Sequence, residues 1–290
     1  MVERINLSDA IKGYNENNQI PEQVAPTNYK LPVNDYMTTL TKETDPDLIM
    51  SHEMVDLPSK GIHYQNKLTQ VAVEYMTSRD EDILTTPSLI ENNTVFEVLL
   101  KRKIKSPGIS QNDLLPGDRN AILLFLRTSS YGSEYHVQVY DPRTNKPFAA
   151  TVDLLKLKHK ELTKKPDENG HYSVELPLSK KTVKFRLLTF GEDNQIYKQA
   201  ESLREAYNEE VSSYSTLKLK ASIYSINGRT ERDYINKFVD VMRALDAFAI
   251  RKEILNVSPD IDMNYEFTTS DNYKFTANLS IGIDFFFPSI

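Results

Sequence analysis

The chain has 290 residues, a formal charge of −6 and no cysteine, so disulfides, thiolate metal sites and cysteine nucleophiles are excluded together. No apolar run approaches the ~18 residues a membrane span needs, and Met1-Val2-Glu3-Arg4-Ile5-Asn6 lacks the basic-then-apolar order of a signal peptide, so a soluble protein is expected. The charge is localised: residues 1–56 carry four basic against ten acidic side chains, which accounts for the whole −6 and leaves the remainder balanced. A balanced body has no global field to draw it onto nucleic acid or an anionic membrane, so neither is an expected partner.

In chain order, residues 1–56 read as an extended acidic arm, with Pro21, Pro26, Pro32 and Pro46 and with apolar residues scattered without period. Folded structure is expected from Leu57-Pro58-Ser59-Lys60-Gly61, a turn leading to a strand at Val71-Ala72-Val73-Glu74-Tyr75. Thr77 with Asp80 predicts a helix start that Pro87 ends, and Thr94 to Lys103 predicts a second helix with a basic last turn. Asp118 is expected to cap a third, whose Ile122, Leu123, Phe125 and Leu126 are mostly core. Residues 57–134 thus form a strand and short-helix block.

From Tyr135 the period changes to two. Tyr135, Val137 and Val139 lead to a turn at Asp141-Pro142-Arg143-Thr144-Asn145-Lys146-Pro147, with a return at Val152, Leu154 and Leu157. Two more strands, at His171–Leu176 and Thr182–Leu187, complete a four-stranded antiparallel element over 135–190. A long helix follows, with Ile196, Ala200, Leu203, Tyr207 and Val211 in a narrow stripe suited to helix pairing. A second, Thr230 to Asn256, carries a wide apolar face that includes Tyr234, Phe238, Met242, Leu245 and Phe248, and the two are expected to pack on each other within 191–257. Strand periodicity returns in a C-terminal β-hairpin and aromatic tail over 258–290, where Phe285-Phe286-Phe287 cannot all face one side. The fold class expected is α+β.

No catalytic constellation emerges. The nine glycines make neither a Walker loop nor a G-x-G-x-x-G turn, and no G-x-S-x-G elbow exists. His52-Glu53 opens like a zincin helix, but Asp56 stands where the second histidine belongs, and the five histidines are scattered singly, more simply read as surface or strand residues. Ser129 to His136 is dense in donors and acceptors yet reads as a polar helix-to-strand connection. Asp45 with Asp47, and Asp260 with Asp262, make only a weak cation claim. No metal or cofactor is expected, and the chain is read as a non-enzyme.

Two basic clusters, Lys101-Arg102-Lys103-Ile104-Lys105 and Lys156-Leu157-Lys158-His159-Lys160 with Lys164-Lys165, could meet nucleic acid. They lack interleaved aromatics to stack bases, and alternate lysines are the usual protection of an exposed strand edge. An acidic neighbour, such as the arm of another copy in a ring, is the competing reading. Residues expected to bind partners are Leu57, Pro58, Tyr64, Ile196, Leu203, Tyr207, Phe285, Phe286 and Phe287.

Taken in order, Leu57-Pro58-Ser59-Lys60-Gly61 with Tyr64, then Tyr75-Met76-Thr77-Ser78-Arg79-Asp80-Glu81-Asp82-Ile83-Leu84, Leu115-Pro116-Gly117-Asp118-Arg119 through Ser130-Tyr131-Gly132 and Tyr135, Leu176 through Thr189, and the closing Phe285-Phe286-Phe287-Pro288 make five pieces over residues 57–288. Together they resemble the baseplate hub protein family of T4-like contractile-tailed phages. The resemblance implies a structural component of the tail baseplate, at the hub or the adjoining wedge region. Its partners would be other phage tail and baseplate proteins, with copies of itself in a ring as a further candidate, and its location the virion after assembly in the host cytoplasm. A transient assembly chaperone absent from the mature virion is the alternative, and a tail-associated hydrolase a second one. Relatives often carry paired cysteines in the turn after the first strand of the β element and again near the C-terminus. Here those places resemble Asp141 to Lys146 and Thr268 to Asn272, so ordinary turn chemistry and aromatic packing are expected to close both hairpins.

Overall fold

The structure, a computed structural model, describes residues 51–64, 66–208, 210–269 and 271–287. The expected arm therefore lies outside the described residues up to position 50.

Its last part is not an arm. His52–Asp56 forms strand β1, paired antiparallel with β2 (Gln70–Glu74), His52 opposite Glu74 and Asp56 opposite Gln70. Val55, Val71 and Val73 point inward, so the folded body starts about five residues before the Leu57 turn. That strand also removes the zincin reading of His52-Glu53, because a strand sends neighbouring side chains to opposite faces.

Helix α1 (Ser78–Thr85) begins as the sequence predicts: the Asp80 carboxylate accepts from the Thr77 N–H at 2.8 Å and from its hydroxyl at 2.9 Å. Pro87 ends α1 and also opens a further short helix, α2 (Pro87–Glu91), with proline in the first turn, where its missing N–H costs nothing. Next come α3 (Val95–Lys103) and α4 (Pro116–Tyr131). Asp118 is not the cap of α4. Pro116 is its first residue, and Asp118 lies in its first turn, buried. Gly117 allows the helix to touch the chain behind it, since a Cβ there would fall 1.9 Å from the Pro259 carbonyl oxygen.

Strands β3 (Glu134–Tyr140) and β4 (Pro147–Asp153) make a two-stranded hairpin, Glu134 opposite Asp153 and Tyr140 opposite Pro147. A single 3-10 turn, Leu154–Lys156, follows. The expected four-stranded element is not formed. Strands β5 (Tyr172–Glu175) and β6 (Thr182–Phe185) instead join a strand from beyond the next helices. Those helices are α5 (Phe190–Ala206), opened by Thr189 and Glu192 in a reciprocal capping box, and α6 (Tyr214–Ser222). Directly after α6, β7 (Ile223–Ile226) pairs with β6 to give the sheet β5-β6-β7.

The second long helix is also divided, into α7 (Arg232–Asp240) and α8 (Ala244–Val257), with Glu231 in the cap position expected of Thr230. Nor do two long helices pack together. Helix α5 lies on α6, α6 on α7, both α6 and α7 on β7, and α8 on β5. Last come the hairpin of β8 (Asn264–Thr268) and β9 (Lys274–Asn278) and a 3-10 turn at Asp284–Phe286. Eight α-helices and small antiparallel sheets among the described residues make the fold α+β. No described helix is long and apolar enough to cross a membrane.

The larger core draws on Val55, Leu57, Leu99, Ile122, Leu126, Val152, Phe267, Phe285 and Phe286, so the first strand and the last turn share one interior around α4. The smaller one, Leu176, Val183, Leu219, Ile223, Ile226, Ile235, Val239 and Ile250, belongs to the three-stranded sheet and its helices. It is built wholly from a stretch of chain inserted between the β3–β4 and β8–β9 hairpins.

Candidate functional site

The residues singled out by sequence separate into internal struts and exposed contacts. Leu57, Pro58 and Ser59 are buried. The turn that carries them is set by Lys60 and Gly61, both in the left-handed region at φ 50° and 71°. The Ser59 N–H donates to Asp118 Oδ1 at 2.9 Å, the Tyr64 hydroxyl donates to Asp118 Oδ2, and the same hydroxyl accepts the Leu115 N–H at 2.9 Å. Burial pushes the Asp118 carboxyl up against the opposing pull of these donors, and burial together with Asp118 drives the Tyr64 phenol far above its usual range. The first-turn dipole of α4 favours a carboxylate at this place. Leu57, Pro58 and Tyr64 therefore fasten the turn to α4.

Phe285 and Phe286 are likewise fully buried, edge-on to Tyr135 at 5.1 Å and tilted against Phe96 at 5.6 Å between ring centres. Arg127, itself 1% exposed, donates to the carbonyls of Phe285 (2.7 Å), Gly132 (2.7 Å) and Glu134 (3.1 Å). One cation thus pins the C-terminal turn to the end of α4 and the start of β3. A lone arginine beside the apolar run Ile122 to Leu126 was the available sign of this anchor. Of the three phenylalanines only Phe287 keeps substantial exposure, while Phe285 and Phe286 belong to the interior.

The helical stripe is split by the end of α5. Ile196 and Ala200 face inward, Leu203 is half-buried, and Tyr207 and Val211, beyond the last turn, are 72% and 76% exposed. The pairing seam expected over Ile196 to Val211 therefore stops at Leu203. Ile196 is spent on the interior, whereas Tyr207 remains available.

The first basic cluster is largely neutralised within the chain. Lys103 is buried against Asp80 at 2.5 Å and donates to the Tyr75 carbonyl at 2.9 Å; Arg102 also meets Asp80 at 3.0 Å, and Lys105 meets Glu74 at 3.2 Å. The second cluster is no free edge. His159 bridges to Ile261, with Lys160 N–H to Asp260 O and Asp262 N–H to Lys158 O, both 2.8 Å. Lys160 Nζ donates to the Leu255 carbonyl in the last turn of α8 at 2.5 Å, and Lys164 pairs with Glu253. Asp260 accepts from the Asn120 side chain and Asp262 from Asn264, so both are engaged in hydrogen bonds. His136 Nδ1 meets the Thr151 hydroxyl at 2.9 Å across the β3–β4 pair, and Thr128 and Ser129 bond carbonyls of their own helix. No group of three His, Cys, Asp or Glu side chains among the described residues could hold a metal ion.

The two hairpin turns are tied together by Arg143. Its guanidinium donates to Asp141 at 2.8 Å in its own turn and to Asp271 of the other hairpin at 2.9 Å, and lies 3.8 Å from the centre of the Tyr273 ring. The Arg143 hydrogen bonds hold the Asp141 carboxyl below its usual range, while Thr269 first and Arg143 second do the same for Asp271. Phe148 and Phe275 meet edge-on beneath at 5.9 Å. Polar turn chemistry and aromatic packing close these hairpins, as the sequence predicts.

What the surface offers beyond this is apolar. Leu245, Phe248 and Leu255 on α8 are 51%, 55% and 69% exposed, although the sequence pattern assigns Leu245 and Phe248 to a packed face. The division at Val241 to Arg243 turns the helix so that Asp246 faces inward, accepting the Leu178 and Ser179 N–H groups at 2.8 and 3.1 Å. These features suit a part that binds other proteins. In comparison with known families, the model of the T4 bacteriophage base plate protein family matches residues 50–286. No curated protein and no solved structure matches the chain.

Proposed function

We propose that this chain, which belongs to the T4 bacteriophage base plate protein family, serves at the hub of a contractile tail or in the adjoining wedge region by binding neighbouring subunits. Membership gives the coarser statement: a structural protein of the phage tail baseplate, in the virion, among other tail proteins. The family match across nearly all of the described body carries the coarser statement and is consistent with the finer one. Exposed apolar side chains support it, because a monomer gains nothing by leaving Tyr207, Phe248 and Leu255 in water. The contacts are assigned to the acidic segment ahead of β1, to Tyr207 with Leu203 beside it, and to Phe287. Assembly would take place in the host cytoplasm, and no chemical step is assigned to the chain.

The test is quantitative mass spectrometry of purified, DNA-filled virions. A structural subunit is found there in fixed stoichiometry to the other tail proteins. A chain present in infected-cell lysate and missing from virions overturns the reading and leaves an assembly factor.

A further inference from the structure

Two exposed apolar patches of opposite charge lie on separate parts of the body. On α8, Leu245, Phe248 and Leu255 fall within an arc of about 80° at 100° per residue. Arg251 and Lys252 are exposed beside them, Arg243 is exposed at the helix cap, and none of the three enters an ion pair with another described residue. The acids of this helix are already occupied, Asp246 by the Leu178 and Ser179 amides and Glu253 by Lys164. The α8 face is therefore apolar with a cationic border.

The second patch lies at the end of α5 and just beyond it, where Tyr207 and Val211 are exposed. Glu205 and Glu210 are exposed with them, Glu201 is taken by Arg204, and Lys198 is the one exposed base on that helix without a described partner. This border is anionic. Helix α5 rests on α6, which touches β7, whereas α8 rests on β5, so the two patches are carried by elements at opposite edges of the three-stranded sheet.

We infer that the α8 face of one copy receives the α5 end of a second copy of this chain, in a head-to-tail contact. Charge decides the occupant. Pairing α8 with another α8 would set Arg243, Arg251 and Lys252 against their own kind, whereas the α5 end supplies aromatic surface with carboxylates at its border. A contact between two different patches leaves one of each unfilled in any open pair, so it propagates until the rotation closes a ring. The inference deepens the structural reading above and rests on it, since it names one partner of such a subunit.

The experiment is light scattering on size-exclusion fractions of the full chain over a range of concentrations, with two variants at exposed positions. Phe248→Glu with Leu255→Glu blocks the α8 face, and Tyr207→Lys with Val211→Lys blocks the α5 end; circular dichroism checks that both keep their helices. The wild-type chain is expected to gain mass with concentration and to lose that gain in high salt. Each variant alone should stay monomeric, and an equal mixture should stop at twice the monomer mass, because one good patch of each kind remains. A wild-type chain monomeric throughout, variants that associate like wild type, or a mixture that stays monomeric would each overturn the contact. Detection in the virion is independent of all three, so a monomeric chain that is nevertheless found in the particle overturns this contact and leaves the structural role intact.

Discussion

Lys103 and Asp80 make an ion pair with both side chains fully buried, and the structure sets what breaking it should cost. Changing Asp80 to Asn keeps the shape and leaves an oxygen for the Thr77 N–H. It strands the Lys103 ammonium in the core with only the Tyr75 carbonyl as partner. Breaking one half of a buried pair costs about 3–5 kcal/mol, mostly through the unpaired charge. Lys103→Met does less harm, because Asp80 keeps Arg102 and both Thr77 donors; about 2–3 kcal/mol is expected. In Asp80→Asn/Lys103→Met neither charge remains and the methionine fills the lysine stem's volume, so the double variant should lose only about 1–2 kcal/mol. The cycle then gives a coupling of roughly 3 kcal/mol or more, at the upper end for residues in contact. Urea unfolding followed by circular dichroism reads this directly: with a slope of about 3 kcal/mol/M, Asp80→Asn lowers the midpoint by roughly 1–1.7 M and the double variant by about 0.3–0.7 M. Costs that simply add, or an Asp80→Asn midpoint within about 0.3 M of wild type, would refute the account of this pair as a mutually dependent buried unit.

Other expectations follow from single contacts. Tyr64→Phe leaves the Leu115 N–H and one Asp118 oxygen without their partner and should cost about 1–3 kcal/mol in the same assay, while leaving contacts with other subunits unchanged. Gly117→Ala drives a methyl group into the backbone of Pro259 and Asp260, for about 1–3 kcal/mol, toward the upper end because main chain cannot swing aside. Burial holds the His63 imidazole below its ordinary pKa of about 6.5, so the unfolded chain takes up that proton first. Stability should therefore fall as pH drops below about 6.5 toward the folded-state value, and urea midpoints of His63→Gln should lose that part of the slope. Arg143→Ala should speed hydrogen exchange in the turns of the β3–β4 and β8–β9 hairpins together while sparing β5–β6–β7, because one guanidinium holds both turns.

Local signals were legible wherever chemistry acts over a few residues. Thr77 with Asp80, Pro87, the alternation from Tyr135 to Val139 and the terminal hairpin all sit where their spacing places them. Helix division was not legible in that way. Apolar spacing runs on through Val241-Met242-Arg243 without glycine or proline, and the inward turn of Asp246 that goes with the division is met by remote partners, the amides of Leu178 and Ser179. At the end of α5 a sign did exist, since Asn208 adopts φ 50° and Ser212-Ser213 precede the next helix. Strand β7 was hidden because its four residues follow a helix with no turn between them. Leu57, Phe285 and Phe286 look sticky because they are core, and sequence alone does not say whose core an apolar residue completes.

The larger interior takes its first members from Val55 and Leu57 and its last from Phe285 and Phe286. During synthesis it cannot close until nearly the whole chain has left the ribosome. The inserted layer needs nothing beyond Val257 and can form sooner. At about 5–20 residues per second the interval between those two points is roughly 1–6 s, during which β1, β2 and α4 present uncovered apolar surface to solvent. That window, more than any contact in the finished fold, is where a holdase or an early-bound assembly partner would act on the newborn chain.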